Sequence, residues 1–305
     1  MSTVPPDSIV VGIDGSPSSD AALDWAVREA LRLGRPLHLL HARGLDNWWY
    51  AAGSPTPDEV DEKLHDDMLS RRLEQVRSVA PDVDVTSEAS TDNAAPALVR
   101  ESERAHSLVL GARGHGAVRG ALLGSVSSQV TAHARCPVVV LRAPLSELSA
   151  QGPVVVGVDG SRVSEAAVDY AFRRAAASDA ELVAVHAWWV DQDGDQRWLA
   201  PFPRQQAEFV ESKHRLAAEA LEPWRASYPN VRVRGEVVRR HPVDALVHAS
   251  MNAQMLVVGS RGRGGFRGLL LGSVSLRSLQ HAHCPVAVVR PGTDREHLAD
   301  TADPA

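Results

Sequence analysis

Only two cysteines occur in the 305 residues, Cys136 and Cys284, too few for the disulfide framework of a small secreted domain. A reducing, cytoplasmic setting is expected. Cationic excess is missing as well: 32 Lys and Arg stand against 38 Asp and Glu, a net charge of −6, with a pI near 6.1. Nothing in that balance draws the chain toward nucleic acid or an anionic membrane, so any anion site must be local. No stretch approaches the roughly 18 uninterrupted apolar residues of a membrane span, and MSTVPPDSIV carries no basic flank leading into an apolar run. Neither a membrane nor a nucleic acid is expected as a partner. Common catalytic signatures are absent too: there is no GxSxG, no HExxH, no GxxxxGK[ST] and no aspartate-rich cluster of the kind phosphoryl transfer uses. No catalytic residue is assigned, and no protein-held metal.

What the chain does contain is a normal folding composition, 44% hydrophobic and 23% charged, at about twice the usual domain length. It is also written twice. IVVGIDGS (9–16) returns as VVVGVDGS (154–161), an offset of 145. GARGHGAVRGALLGSVS (111–127) returns as GSRGRGGFRGLLLGSVS (259–275), and ARCPVVVLR (134–142) as AHCPVAVVR (282–290), both at an offset of 148. Three residues must have been inserted into the second copy between these blocks, as happens in a surface connection of a duplicated domain. The aperiodic stretch APLSELSAQG (143–152) is the join. We expect domains over 1–147 and 152–291, followed by a flexible acidic tail over 292–305.

Within the first copy, the β-branched run 9–13 predicts a strand, and Ser16 with Pro17 the capped start of a helix that Gly34 stops. A strand over 37–41, a helix over 58–79, a strand over 83–88, a helix over 94–105 and a strand over 108–110 follow. A glycine-rich loop, a helix from Ser125 and a strand over 138–141 complete the unit. Strands alternating with helices predict an α/β fold of two tandem Rossmann-like domains, each a mostly parallel sheet covered by helices on both faces.

The strongest chemical signal is a spacing: Gly111, Gly114, nine residues, then Gly124 and Ser125, repeated as Gly259, Gly262, nine residues, Gly272 and Ser273. Each loop leaves a buried strand and enters a helix, which is where open α/β sheets hold ligands. Glycines let backbone approach a ligand, and the N–H groups of a helix start attract an anion. Ser125, Ser127, Ser273 and Ser275 add hydroxyls, and Arg113, His115, Arg119, Arg261, Arg263 and Arg267 add positive charge beside the loops. A di- or triphosphate fits this better than a neutral ligand. Asp14 and Asp159 end the first strand of each copy beside Gly12 and Gly157, where a carboxylate can accept hydrogen bonds from ribose hydroxyls or an adenine amino group, or simply close an Asx-turn. Asp46 and Asp191, matched after the second strands, are further ribose candidates.

The spacing G-2x-G-9x-G-[S/T], the aspartate ending the first strand and the CPVVVL final strand together resemble the ATP-binding branch of the universal stress proteins. The resemblance covers roughly residues 8–143 and 152–291. It implies a five-stranded Rossmann-like fold, similar to the adenine nucleotide α-hydrolases, and two ATP per chain. Asp14 and Asp159 would face the adenosine. Gly111, Ala112, Arg113, Gly114, His115, Gly116 and Ala117, with Gly124, Ser125, Val126 and Ser127, would surround the phosphates. Gly259, Ser260, Arg261, Gly262, Arg263, Gly264 and Gly265, with Gly272, Ser273, Val274 and Ser275, would do so in the second copy. Magnesium is expected only as an ion carried by the phosphates, since no carboxylate is committed to it. By the same resemblance the two halves pair about a pseudo-two-fold axis, and a homodimer is expected.

The motifs HARC (133–136) and HAHC (281–284) invite a metal reading, but each lies at a helix end before a strand without a paired CxxC, so packing is expected. Trp48, Trp49, Trp188 and Trp189 follow the second strands, where local packing or an interface is expected before adenine stacking. The expected function is an ATP-binding stress-response regulator whose nucleotide acts as switch or structural ligand. The rival is an ATP-hydrolysing or nucleotidyl-transferring enzyme of the same fold.

Overall fold

The computed structural model describes residues 4–42, 60–114, 122–144, 149, 151–189, 203–262 and 270–292. Two compact units, Met1–Glu147 and Leu148–Ala305, divide the chain. In the first, the elements are β1 (Ile9–Gly12), α1 (Pro17–Leu33), β2 (Leu37–Ala42), α2 (Val60–Val79), β3 (Val85–Ser90), α3 (Ala94–Glu101), β4 (Ser107–Gly111), α4 (Ser125–His133) and β5 (Val138–Leu141). The second holds β6 (Val154–Gly157), α5 (Arg162–Ala177), β7 (Leu182–Trp188), α6 (Pro203–Glu219), α7 (Glu222–Ser227), β8 (Val233–Arg239) and α8 (Pro242–Ala249). A 3-10 turn (Ser250–Asn252), β9 (Met255–Gly259), α9 (Ser273–His281) and β10 (Val286–Val289) complete it.

Each unit has a five-stranded sheet of order β3-β2-β1-β4-β5, repeated as β8-β7-β6-β9-β10, and the pairings within each unit are parallel. Parallel pairing needs crossover helices, which cover both faces, and the strand sequences obey that demand. Ile9, Val10, Val11, Leu108, Val109 and Val138 to Leu141 are all buried, as are Val154, Val155, Val156 and Met255 to Val258. The register is the same in both copies: Ile9 stands opposite Leu37 and Val154 opposite Leu182.

Helix α1 begins as the sequence predicts. The Ser19 N–H donates to the Ser16 hydroxyl at 3.2 Å, Pro17 occupies the first turn and Gly34 closes the C-terminus. Its buried face, which includes Ala22, Leu23, Ala26 and Ala30, packs on β1 and β4.

Two boundaries differ from the sequence expectation for a local reason. Strand β3 starts at Val85 because Val83 is spent in a turn, its N–H donating to the Ala80 carbonyl. Helix α3 stops at Glu101 instead of Ala105, for Ser102 bends back to the Val99 carbonyl and accepts from the Arg135 N–H at 2.8 Å. Ser250 repeats that device, bonding Val247 and accepting from the His283 N–H at 3.0 Å. The three-residue insertion lies between β7 and β8, since Leu37 and Leu182 differ by 145 whereas Val85 and Val233 differ by 148. There Pro223 stands in the first turn of the short α7, which at the offset of 148 falls on the last turns of α2, Glu74 to Val79.

Candidate functional site

The carboxyl ends of β1 and β4 stand side by side in the sheet, and whatever follows them shares one crevice. After β1 the chain turns sharply at Asp14-Gly15. Gly15 has φ 79° and Gly160 φ 72°, a left-handed conformation that glycine adopts without a Cβ penalty. The turn is held by Asp14 itself, whose Oδ1 accepts the Ser16 N–H at 2.9 Å. Asp159 accepts the Ser161 N–H at 2.9 Å and the Ser161 hydroxyl at 2.6 Å. One carboxylate oxygen in each copy therefore serves the corner, as the Asx-turn alternative requires. From below, the buried His41 donates from Nδ1 to the Ile13 carbonyl at 2.7 Å, and His186 does the same to Val158 at 2.7 Å. A carbonyl only accepts, so the proton sits on Nδ1.

The other carboxylate oxygen faces the glycine loop. A β-carbon placed on Gly114 would stand 2.2 Å from Asp14 Oδ2, and one on Gly262 would stand 2.8 Å from Asp159 Oδ2. Gly111 and Gly259 serve a different purpose. A β-carbon on Gly111 would meet the Ser18 backbone at 2.6 and 2.7 Å, and one on Gly259 would meet Val163 Cγ1 at 2.8 Å. These two glycines let the first helix of each unit lie against the strand end.

Ala112 and Ser260 are buried behind the crevice. Their carbonyls accept the N–H of Gly124 at 2.7 Å and of Gly272 at 2.8 Å, which ties the two ends of each loop together. Helices α4 and α9 then begin on glycines in extended conformation, φ −74° at Gly124 and φ −73° at Gly272, with no side-chain cap at either. Helices α1 and α5 are capped by Ser16 and Ser161. An uncapped helix start of this kind is the local arrangement that suits an anion. Ser127 and Ser275 do not add hydroxyl donors there as expected: each donates to a strand-end carbonyl, Gly111 at 2.7 Å and Gly259 at 2.6 Å.

These groups line one cavity per unit, of about 420 Å³ in the first and about 490 Å³ in the second. The first gathers Gly12, Asp14, Gly111, Arg113, Gly114, Gly124, Ser125, Val126 and Ser127. The second gathers Gly157, Asp159, Gly259, Arg261, Gly262, Gly272, Ser273, Val274 and Ser275. Asp46, His115, Gly116, Ala117, Arg119, Asp191, Arg263, Gly264, Gly265 and Arg267 lie outside the described residues. Sequence reading missed the apolar end of the cavity, formed in the first unit by Ile13, Leu40, Ala42, Leu98 and Leu110. Arg142, just past β5, lies outside that lining but close enough to Arg113 to feel its charge. Burial and the nearby Arg113 charge hold the Arg142 guanidinium below the ordinary arginine range. The lining of the first cavity therefore combines a polar, glycine-rich and cationic set with an apolar one.

The remaining sequence candidates sit elsewhere. Cys136 and Cys284 are buried and form no disulfide, and burial pushes the Cys284 thiol up to about 12, far from the thiolate that metals take. Trp48 and Trp49 lie outside the described residues. Trp188 meets Phe209 edge-on at 5.3 Å with the Arg239 guanidinium 5.5 Å from its ring centre, while Trp189 is exposed. Among the described residues, no helix is long and apolar enough to cross a membrane.

Comparison with known proteins places this architecture. The Universal stress protein family matches residues 6–142 and again 152–290. A universal stress protein of Mycobacterium tuberculosis is 40% identical over 290 residues, covering 92% of this chain and 96% of that protein. The crystal structure of a universal stress protein from Archaeoglobus fulgidus DSM 4304 superposes with TM-score 0.64 at 19% identity, covering 95% of this chain and 100% of that one. Another universal stress protein, solved in complex with cAMP, is 32% identical over 46% of this chain and 98% of its own, with TM-score 0.33. Two copies of a parallel five-stranded unit, each matched by the same family over nearly its whole length, leave one assignment: this chain belongs to the universal stress protein family.

Proposed function

We propose that the chain is an ATP-binding stress-response regulator that holds one nucleotide per repeat, occupancy acting as a switch or structural ligand. The observation that carries this reading is the doubled convergence of an aspartate carboxylate, a glycine loop and an uncapped helix start on a single cavity. Cavities of this size fall in the roughly 300–1,000 Å³ range of small-molecule sites. The chemistry divides along the cavity. Helix N–H groups and Arg113 suit the phosphates, the Asp14 carboxylate suits ribose hydroxyls or the adenine amino group, and the apolar end suits the base. Magnesium enters as an ion carried by the phosphates. Homodimer formation belongs to the same proposal and is checked by light scattering in solution.

The direct test is to release and quantify nucleotide from freshly purified protein, then titrate the emptied protein with ATP, ADP, AMP and cAMP, with and without magnesium. About two ATP per chain is expected. A cAMP preference would replace ATP as the ligand, and absence of any binding would leave a scaffold. Steady-state turnover on the order of 1 per second or faster would instead make the protein an enzyme.

A further inference from the structure

The two cavities are walled by matching elements but not by matching side chains. Ile13, Leu40 and Leu110 in the first correspond to Val158, Val185 and Val258 in the second, each one carbon shorter. Leu98 and Leu246 are unchanged. Pro242, in place of Ala94, adds bulk on one side of the second cavity, yet that cavity is the larger, about 490 against 420 Å³. The reach of these walls can be read at the glycine ending each first strand. A β-carbon on Gly12 would stand 2.7 Å from Leu110 Cδ2, whereas the three atoms nearest one on Gly157 all belong to Leu246, at 3.2 Å or more. Leu110 therefore crosses over the end of β1 and narrows the apolar half of the first site, and Val258 is too short to do so.

We propose that the repeats differ in base selectivity: the second site accepts an adenine nucleotide with a small alkyl substituent on its base, which the first site excludes. The inference rests on the nucleotide reading above. It follows from the packing of protein interiors, which leaves little slack around a bound ring, so one carbon on a wall decides whether an added methyl fits. A single methylene in an apolar pocket separates ligands by roughly tenfold or more. Three such differences in the lining set the two sites apart, while the lining residues Arg113, Gly114, Gly124 and Ser125 recur unchanged as Arg261, Gly262, Gly272 and Ser273.

The emptied full-length protein, titrated calorimetrically with ATP and with ATP methylated at C2, N6 or C8, tests this. ATP should fill two sites. At least one methylated analogue should fill one site per chain, or two sites whose affinities differ by roughly tenfold or more. Leu110→Val should then admit the analogue to the first site, and Val258→Leu should weaken it at the second, with circular dichroism confirming that each variant folds. Analogues that bind both sites alike, or neither, while ATP still binds twice would overturn the inference alone. A difference that neither substitution moves would overturn it too, and loss of ATP binding altogether would remove the nucleotide reading with it.

Discussion

Asp14 and Gly114 are in contact across the crevice: the Asp14 Oδ2 atom occupies the space beside Gly114 that the β-carbon of any other residue would need, 2.2 Å away. A carboxylate fixed by one oxygen at the Asp14-Ser16 turn and pressed by the other against the glycine loop couples the ends of β1 and β4.

Replacing Asp14 by alanine should lower ATP stoichiometry from two to one, with affinity at the altered site falling roughly tenfold to a hundredfold, the usual worth of a hydrogen bond to a charged group. Adding Asp159→Ala should bring it to zero. Equilibrium dialysis reads both, and an unchanged count would remove the carboxylates from the site.

Gly114→Ala and Gly262→Ala should weaken binding unequally. The atom each new methyl meets is the tip of a movable side chain, so folding stability should change little while the carboxylate is pushed aside. Because the contact is 2.2 Å in the first repeat and 2.8 Å in the second, the first substitution should cause the greater loss. Calorimetry on the two variants decides the order.

Gly111→Ala should act on stability. Its methyl would meet the Ser18 backbone at 2.6 Å, which cannot swing away, and overpacking of that kind costs about 1–3 kcal/mol. Ser127→Ala, which strips the Gly111 carbonyl of its hydroxyl donor, should cost about 1 kcal/mol. Urea unfolding of the two variants should show both losses, and a wild-type midpoint for Gly111→Ala would contradict the packing described.

His38 supplies a pH dependence. It is fully buried on β2, 2.8 Å from the Thr86 hydroxyl. Burial lowers its pKa below the ordinary 6.5, against the weaker upward pull of Glu88 and Glu101. The folded state thus takes up the proton less readily than the unfolded chain. The stabilising contribution is present above about pH 6.5 and is lost as pH falls below that toward the folded value, by at most about 1.4 kcal/mol per pH unit. Thermal melts should show the wild type losing more stability than His38→Gln between pH 7.5 and 5, and parallel curves would exclude the effect.

The duplication, the strand-helix alternation and the glycine spacing were legible because each is a local pattern that survives without knowledge of contacts. Which glycine does what was not. Gly111 and Gly114 look alike in sequence, and only the fold puts Ser18 against one and Asp14 against the other. For the same reason the Ser127 hydroxyl read as a ligand donor until Gly111 appeared as its acceptor. His41 and His186 went unnoticed because a histidine within an apolar strand gives no sign of the carbonyl it will meet. Leu40, Leu98 and Leu110 looked like ordinary core residues, and most of each side chain is core; the cavity uses only what faces the crevice.

The strand order has a consequence for how the chain is made. β1 is synthesised before β2 to β5, yet it ends up in the middle of its sheet, paired with β2 on one side and with β4 on the other. A ribbon of β1, β2 and β3 can form as soon as Ser90 has been synthesised, but one apolar edge of β1 must wait, unpaired, until Ser107 to Gly111 emerge. The second unit repeats that interval with β6 and β9. Each nascent copy therefore passes through a stage in which a strand destined for the core has an open side, the kind of unpaired edge that invites pairing with a neighbouring chain.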